Sequence, residues 1–173
     1  MPSRKPQQPD SAELAARFAR DGYVFPLEVL SHAEAAAYRR QLEALERRAQ
    51  GSKLGSKLGN KSQLNYAHVI FRFAHEIVTH GRILDAVEAI LGPDILVWGS
   101  TFFLKEPHTE SYVSWHQDLR YWGLDSDAEV SAWLALSPVT EANGCMRFVP
   151  DSHAGGLLPH SDTFAENLSL IHI

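Results

Sequence analysis

The chain has 173 residues, 45% hydrophobic and 21% charged, with a formal net charge of −5. Those proportions suit one domain with its own core, and the mildly acidic balance lacks the basic stripe of a nucleic-acid binder. No run of about 18 apolar residues is present to span a membrane, and the single cysteine, Cys145, excludes an internal disulfide framework and fits a reducing cytoplasm.

The opening, MPSRKPQQPD, is polar and proline-bearing and has no apolar segment of a secretory type. Residues 1–10 read as a disordered leader. Asp10 and Glu13 have the D-x-x-E form of a capping box, so SAELAARFAR is expected to be a short helix. DGYVFP should turn at Gly22 and run extended to Pro26. Ser31 and Glu34 repeat the box signal and predict a helix over about 32–50. Its Ala35, Tyr38, Leu42, Leu45 and Ala49 recur at spacings of three and four and form one buried stripe. Gly51 is placed to end it.

GSKLGSKLGNKSQ then carries a tandem GSKL and reads as a surface loop, either a plain linker or a flap over a pocket. HVIFRFAHEIV (68–78) and GRILDAVEAIL (81–91) predict two short helices closed by Gly92-Pro93. His68 and His75 stand seven apart, not the three or four that one helical face needs for a metal pair. They read as ordinary histidines.

From Asp94 the pattern becomes β-rich. ILVWGSTFFL, SYVSWHQD, EVSAWLALSPV and CMRFVP are expected strands, the last two joined by TEANG, whose Asn143-Gly144 is a hairpin signal. Helices followed by consecutive antiparallel strands predict an α+β domain. Within SWHQDLRYW, His116 and Asp118 lie two apart, so on an extended strand both side chains point to one face. An imidazole and a carboxylate converging this way are two thirds of a 2-His-1-carboxylate metal site. Trp115, Tyr121, Trp122 and Trp133 are expected to wall the pair off from water, where a cation would compensate its burial. H-x-D by itself is a weak signal, and a salt-linked surface histidine explains it equally well.

WHQDLRYWGL, AWLALSPVTEANGCMRFVPDSH and LLPH, in that order and closely spaced, resemble the phytanoyl-CoA dioxygenase family of iron(II)/2-oxoglutarate oxygenases. The upstream ILDAVEAILGPDILVWGSTFFLKEP is similar too, and the resemblance covers roughly residues 12–167. It implies N-terminal helices packed on a double-stranded β-helix (jelly-roll, cupin-like) core over residues 11–167. It also implies iron(II) as cofactor, with 2-oxoglutarate and dioxygen as cosubstrates and a small or lipid-like molecule as the substrate hydroxylated. His116 and Asp118 match the family's proximal iron ligands. Trp133 matches a position lining the cosubstrate pocket, Thr101 falls on another, and Lys105 sits in the family's K-x-P segment. One departure is visible: Asp151 stands where the family usually has glycine in P-G-S-H. Aspartate tolerates the left-handed backbone a glycine there supplies, so small strain is expected. His153 and His160 belong to this segment and are not expected to bind iron.

The family's distal histidine and its cosubstrate-binding arginine are expected on a later strand, and no counterpart is found before Ile173. His172 is too close to His160 to serve. Leu168–Ile173 (LSLIHI) is what the codons CTG TCT CTT ATA CAC ATC encode, a transposon end used as a sequencing adapter. The jelly roll is therefore expected to be incomplete at its C-terminus, the last six residues non-native, and the fragment inactive. Asp118 speaks against a halogenase of the same fold, which replaces that carboxylate. A non-catalytic jelly-roll module that binds a small molecule is the alternative.

Overall fold

The computed structural model describes residues 9–49, 63–105, 107–108 and 112–160. Helix α1 spans Ser11–Asp21, and Asp10 Oδ1 accepts the Glu13 amide at 2.8 Å. Gly22 ends it in the left-handed region at φ +81° and returns its N–H to Phe18 O at 2.8 Å. Helix α2 spans His32–Ala49 and opens on the full reciprocal box. Ser31 N–H donates to Glu34 Oε2 at 2.7 Å, and Glu34 N–H donates to Ser31 Oγ at 3.2 Å. Gly51, the GSKL repeat, the leader before residue 9 and the LSLIHI tail lie outside the described residues.

The helix expected over 68–78 is two. Helix α3 (Ala67–Ile70) and helix α4 (Arg72–Val78) are separated by Phe71, whose backbone is extended at φ −114°, ψ 124°. Packing explains the break. In an unbroken helix Phe71 and Phe73, two apart, would point to opposite sides, whereas here both reach the same core with ring centroids 6.0 Å apart. Helix α5 (Gly81–Leu91) follows, ends at Gly92 as expected, and packs on α1.

The core gathers Leu42 of α2, Ala67 of α3 and Phe73, Ala74 and Ile77 of α4. Phe102, Leu104, Leu134 and Leu136 pack against it from the β-rich half. That contact fastens the later segments to the helical layer.

Regular pairing is sparse in this half. Strand β1 (Gln63–Asn65), which the sequence pattern did not suggest, pairs antiparallel with β2 (Thr101–Phe103), Asn65 opposite Thr101. Apart from a single bridge at Tyr112, the expected strands SYVSWHQD, EVSAWLALSPV and CMRFVP form no ladder among the described residues. An apolar pattern can favour an extended chain, but a ladder also needs a neighbour for its N–H and C=O groups. The period of two survives in the burial: Trp133, Ala135 and Ser137 are exposed, and Leu134 and Leu136 between them are partly covered.

The Asn143-Gly144 turn is wider than a two-residue hairpin. Glu141–Asn143 make one 3₁₀ turn, Gly144 is left-handed at φ +85°, and Cys145 N–H closes the loop on Thr140 O at 3.1 Å. Asn143 braces it, accepting Thr140 N–H at 2.7 Å and donating to Pro138 O at 2.9 Å.

Asp151 is left-handed, φ +63°, as expected for a residue standing in a glycine's place. Its N–H donates to Asp21 O at 3.0 Å, and His153 Nε2 donates to Ala19 O at 3.0 Å. The P-D-S-H segment therefore clasps the C-terminal end of α1. Among the described residues no helix is long and apolar enough to cross a membrane.

Candidate metal centre

His116 and Asp118 converge, though not by strand alternation. Asp118 has helical dihedrals (φ −57°, ψ −43°) and is the cap of a one-turn helix, α6 (Leu119–Trp122). The chain turns between the two residues, and His116 Nε2 lies 3.1 Å from Asp118 Oδ1. The other polar atom of each side chain is engaged. His116 Nδ1 donates to Ser114 O at 2.7 Å, and Asp118 Oδ2 accepts the Ser131 hydroxyl at 2.6 Å.

The electrostatics follow from these contacts. The hydrogen bond to Asp118 raises the His116 pKa above the ordinary imidazole value; burial opposes it, and the Ser114 carbonyl and the Asp118 charge add to it. Burial alone would push the Asp118 carboxyl up, but the hydrogen bonds from His116 and Ser131, with the His116 charge, bring it below the usual carboxylate range. Glu129 behaves oppositely. Burial and the neighbouring Asp118 charge raise it, against the nearby Leu119 amide.

Two donors bound side by side to one cation at about 2.1 Å stand about 3 Å apart. The 3.1 Å between Nε2 and Oδ1 meets that spacing. A cation would take the place of the Nε2 proton while Ser114 keeps Nδ1 protonated, the usual second-sphere arrangement of a metal-bound imidazole. The pair thus fits one edge of an iron site. Among the described residues no group of three or more His, Cys, Asp or Glu side chains is arranged to hold a metal, so Glu129 does not complete a triad.

The two later histidines of the described residues, His153 and His160, are used by the backbone. His153 binds α1, and His160 Nε2 accepts Gln117 N–H at 3.0 Å while its Nδ1 donates to Leu158 O at 2.7 Å. The Gln117 carboxamide spans the same gap, donating to Gly156 O at 3.0 Å and accepting Leu158 N–H at 2.8 Å. Tyr121 presents its ring edgewise to both His116 and His160, with centroids 6.4 and 5.8 Å away.

The expected tryptophan wall is corrected. Trp122 stacks on Trp98 at 5.3 Å, and Trp98 meets Tyr66 at 6.0 Å, an aromatic column that supports α6. Trp115 is 67% exposed and Trp133 47%, so neither seals the pair from water. Trp133 follows Ser131 by two residues, which on an extended segment places it on the Ser131 side. Thr101, on β2, donates its hydroxyl to Asn65 Oδ1 at 2.9 Å. Lys105 lays its ammonium group against the open side of Gly144. Ser131 and Glu129 were not singled out in the sequence; their residue types alone carry no signal that they approach Asp118.

The chain shares its fold with non-heme oxygenases. Two solved structures of the non-heme monooxygenase ThoJ resemble it. The apo form matches with a TM-score of 0.71 at 38% identity, over 84% of this chain and 56% of that one. The nickel complex matches with a TM-score of 0.54 at 37% identity, over 62% and 43%. The phytanoyl-CoA dioxygenase (PhyH) family profile matches residues 18–168, and the chain belongs to that family. Human peroxisomal phytanoyl-CoA dioxygenase is 35% identical over 95 residues, 53% of this chain and 27% of that protein. The ectoine dioxygenase of Bordetella parapertussis is 27% identical over 153 residues, 83% of this chain and 49% of that protein. The chain spans half or less of the length of these curated relatives.

Proposed function

We propose that the chain carries the proximal half of the metal centre of an iron(II)/2-oxoglutarate-dependent dioxygenase that hydroxylates a small or lipid-like molecule. The observation that carries this reading is the facing pair His116 Nε2 and Asp118 Oδ1, 3.1 Å apart, inside the segment matched to the family. Iron(II) bound there would activate dioxygen with 2-oxoglutarate as the co-reductant. His116 would present Nε2, its tautomer set by Ser114, and Asp118 would present Oδ1, its rotation set by Ser131. Trp133 and Thr101 would line the cosubstrate side of the pocket.

The 173-residue chain alone is proposed to be inactive, because its described residues supply two donors where three are needed. The test is succinate formation from 2-oxoglutarate by the protein of the intact locus, with iron(II) and dioxygen, beside His116→Ala. Loss of turnover in the variant is expected. Undiminished succinate from His116→Ala would overturn the ligand assignment, and no turnover by the intact protein would favour a non-catalytic binding module.

A further inference from the structure

Asp118 occupies the cap position of α6, where an aspartate ordinarily turns its carboxylate back onto the first free amides of its own helix. It makes no such bond. The later amides of that turn are satisfied by the backbone. Arg120 N–H reaches Gln117 O at 3.2 Å, and Tyr121 N–H reaches Asp118 O at 2.9 Å. The Asp118 carboxylate is not used in capping and is held by two groups: His116 Nε2, 3.1 Å from Oδ1, and the Ser131 hydroxyl, 2.6 Å from Oδ2. A cation in place of the Nε2 proton would leave Ser131 to hold the carboxylate's rotation.

Ser131 therefore fixes the direction of Asp118 from outside the ligand pair. A carboxylate that turned both oxygens toward a cation would bind through two atoms and take up a position that a cosubstrate needs. One that turned toward the helix amides would leave His116 without a partner. Resting on the reading of His116 and Asp118 as metal ligands, we infer that Ser131 is a positioning residue for the metal centre. It engages Oδ2 so that Oδ1 alone is presented beside His116 Nε2. Ser131 is exposed, so its hydroxyl contributes to the direction of Asp118 and little to the core.

The experiment compares Ser131→Thr with Ser131→Val in the full chain. The two side chains share a shape and differ in the hydroxyl. Co(II) is the probe, and the readout is the paramagnetic shift of the His116 ring protons, because nine histidines make total metal uptake uninformative. Ser131→Val is expected to weaken Co(II) binding at His116 about tenfold, the lower end of what loss of an outer-sphere partner costs. Ser131→Thr is expected to keep the affinity of the unaltered chain, and thermal unfolding of both should match it. Equal Co(II) affinity in the Val and Thr variants, with binding still lost in His116→Ala, would overturn the role of Ser131. Binding at no ring that His116→Ala removes would overturn the ligand reading beneath it.

Discussion

Gly22 is the residue whose replacement tests the clasp between the two ends of the chain. A methyl group there would stand 2.5 Å from His153 Nδ1, on a backbone held at φ +81°. Gly22→Ala therefore incurs two separate penalties. The left-handed backbone costs an alanine about 1 kcal/mol. Displacing the His153 ring breaks its 3.0 Å hydrogen bond to Ala19 O, worth about 1 kcal/mol more. The single variant should lose about 2 kcal/mol, and His153→Ala about 1 kcal/mol, from the same two terms. In Gly22→Ala/His153→Ala there is no ring left to displace, so only the backbone penalty and one lost hydrogen bond remain. The double variant should then also lose about 2 kcal/mol, roughly 1 kcal/mol short of the sum of the singles. Urea unfolding of the four proteins measures this directly. Full additivity would show that the ring and the methyl group do not compete for the same space.

Asp151→Gly should stabilise the fold by about 0.5–1 kcal/mol and raise Tm by roughly 1–4 °C, because the left-handed residue is freed of its Cβ and keeps its N–H bond to Asp21; a lower Tm by calorimetry would contradict it. The Ser31 hydroxyl and amide hold the Glu34 carboxyl below its usual range. Its contribution to α2 is therefore complete above the ordinary carboxylate pKa and is lost as pH falls through the depressed one. Protection factors at the first amides of α2, taken relative to the intrinsic exchange rate at each pH, should fall over that interval in the parent and stay level in Glu34→Gln. Unchanged acid sensitivity in Glu34→Gln would assign the effect to another group.

What could be read in advance was what is decided locally. The α2 box needs only Ser31 and Glu34, and the ends of α1 and α5 need only Gly22 and Gly92, so residues three or four apart carried enough information. The break at Phe71 depends on a core assembled from α2, α4 and β2, which no local window contains. The β-rich segments kept their alternation at residues 133–137 but not their ladders, since pairing is a property of two strands and a pattern belongs to one. The spacing of His116 and Asp118 led to the expectation that their side chains converge, and they do, but a turn and not a strand brings them together. Ser131 could not have been found that way: its approach to Asp118 is set by where the Leu134 and Leu136 face packs.

The clasp on α1 also bears on how the chain is made. Ala19 and His153 are 134 positions apart. At a synthesis rate of about 5–20 residues per second, His153 emerges roughly 7–27 seconds after the helix end it binds. For about the first half of that interval α5 has not emerged either, and for the rest α1 has α5 but not its terminal clasp, so its last turn stays open to chaperones and proteases until His153 arrives.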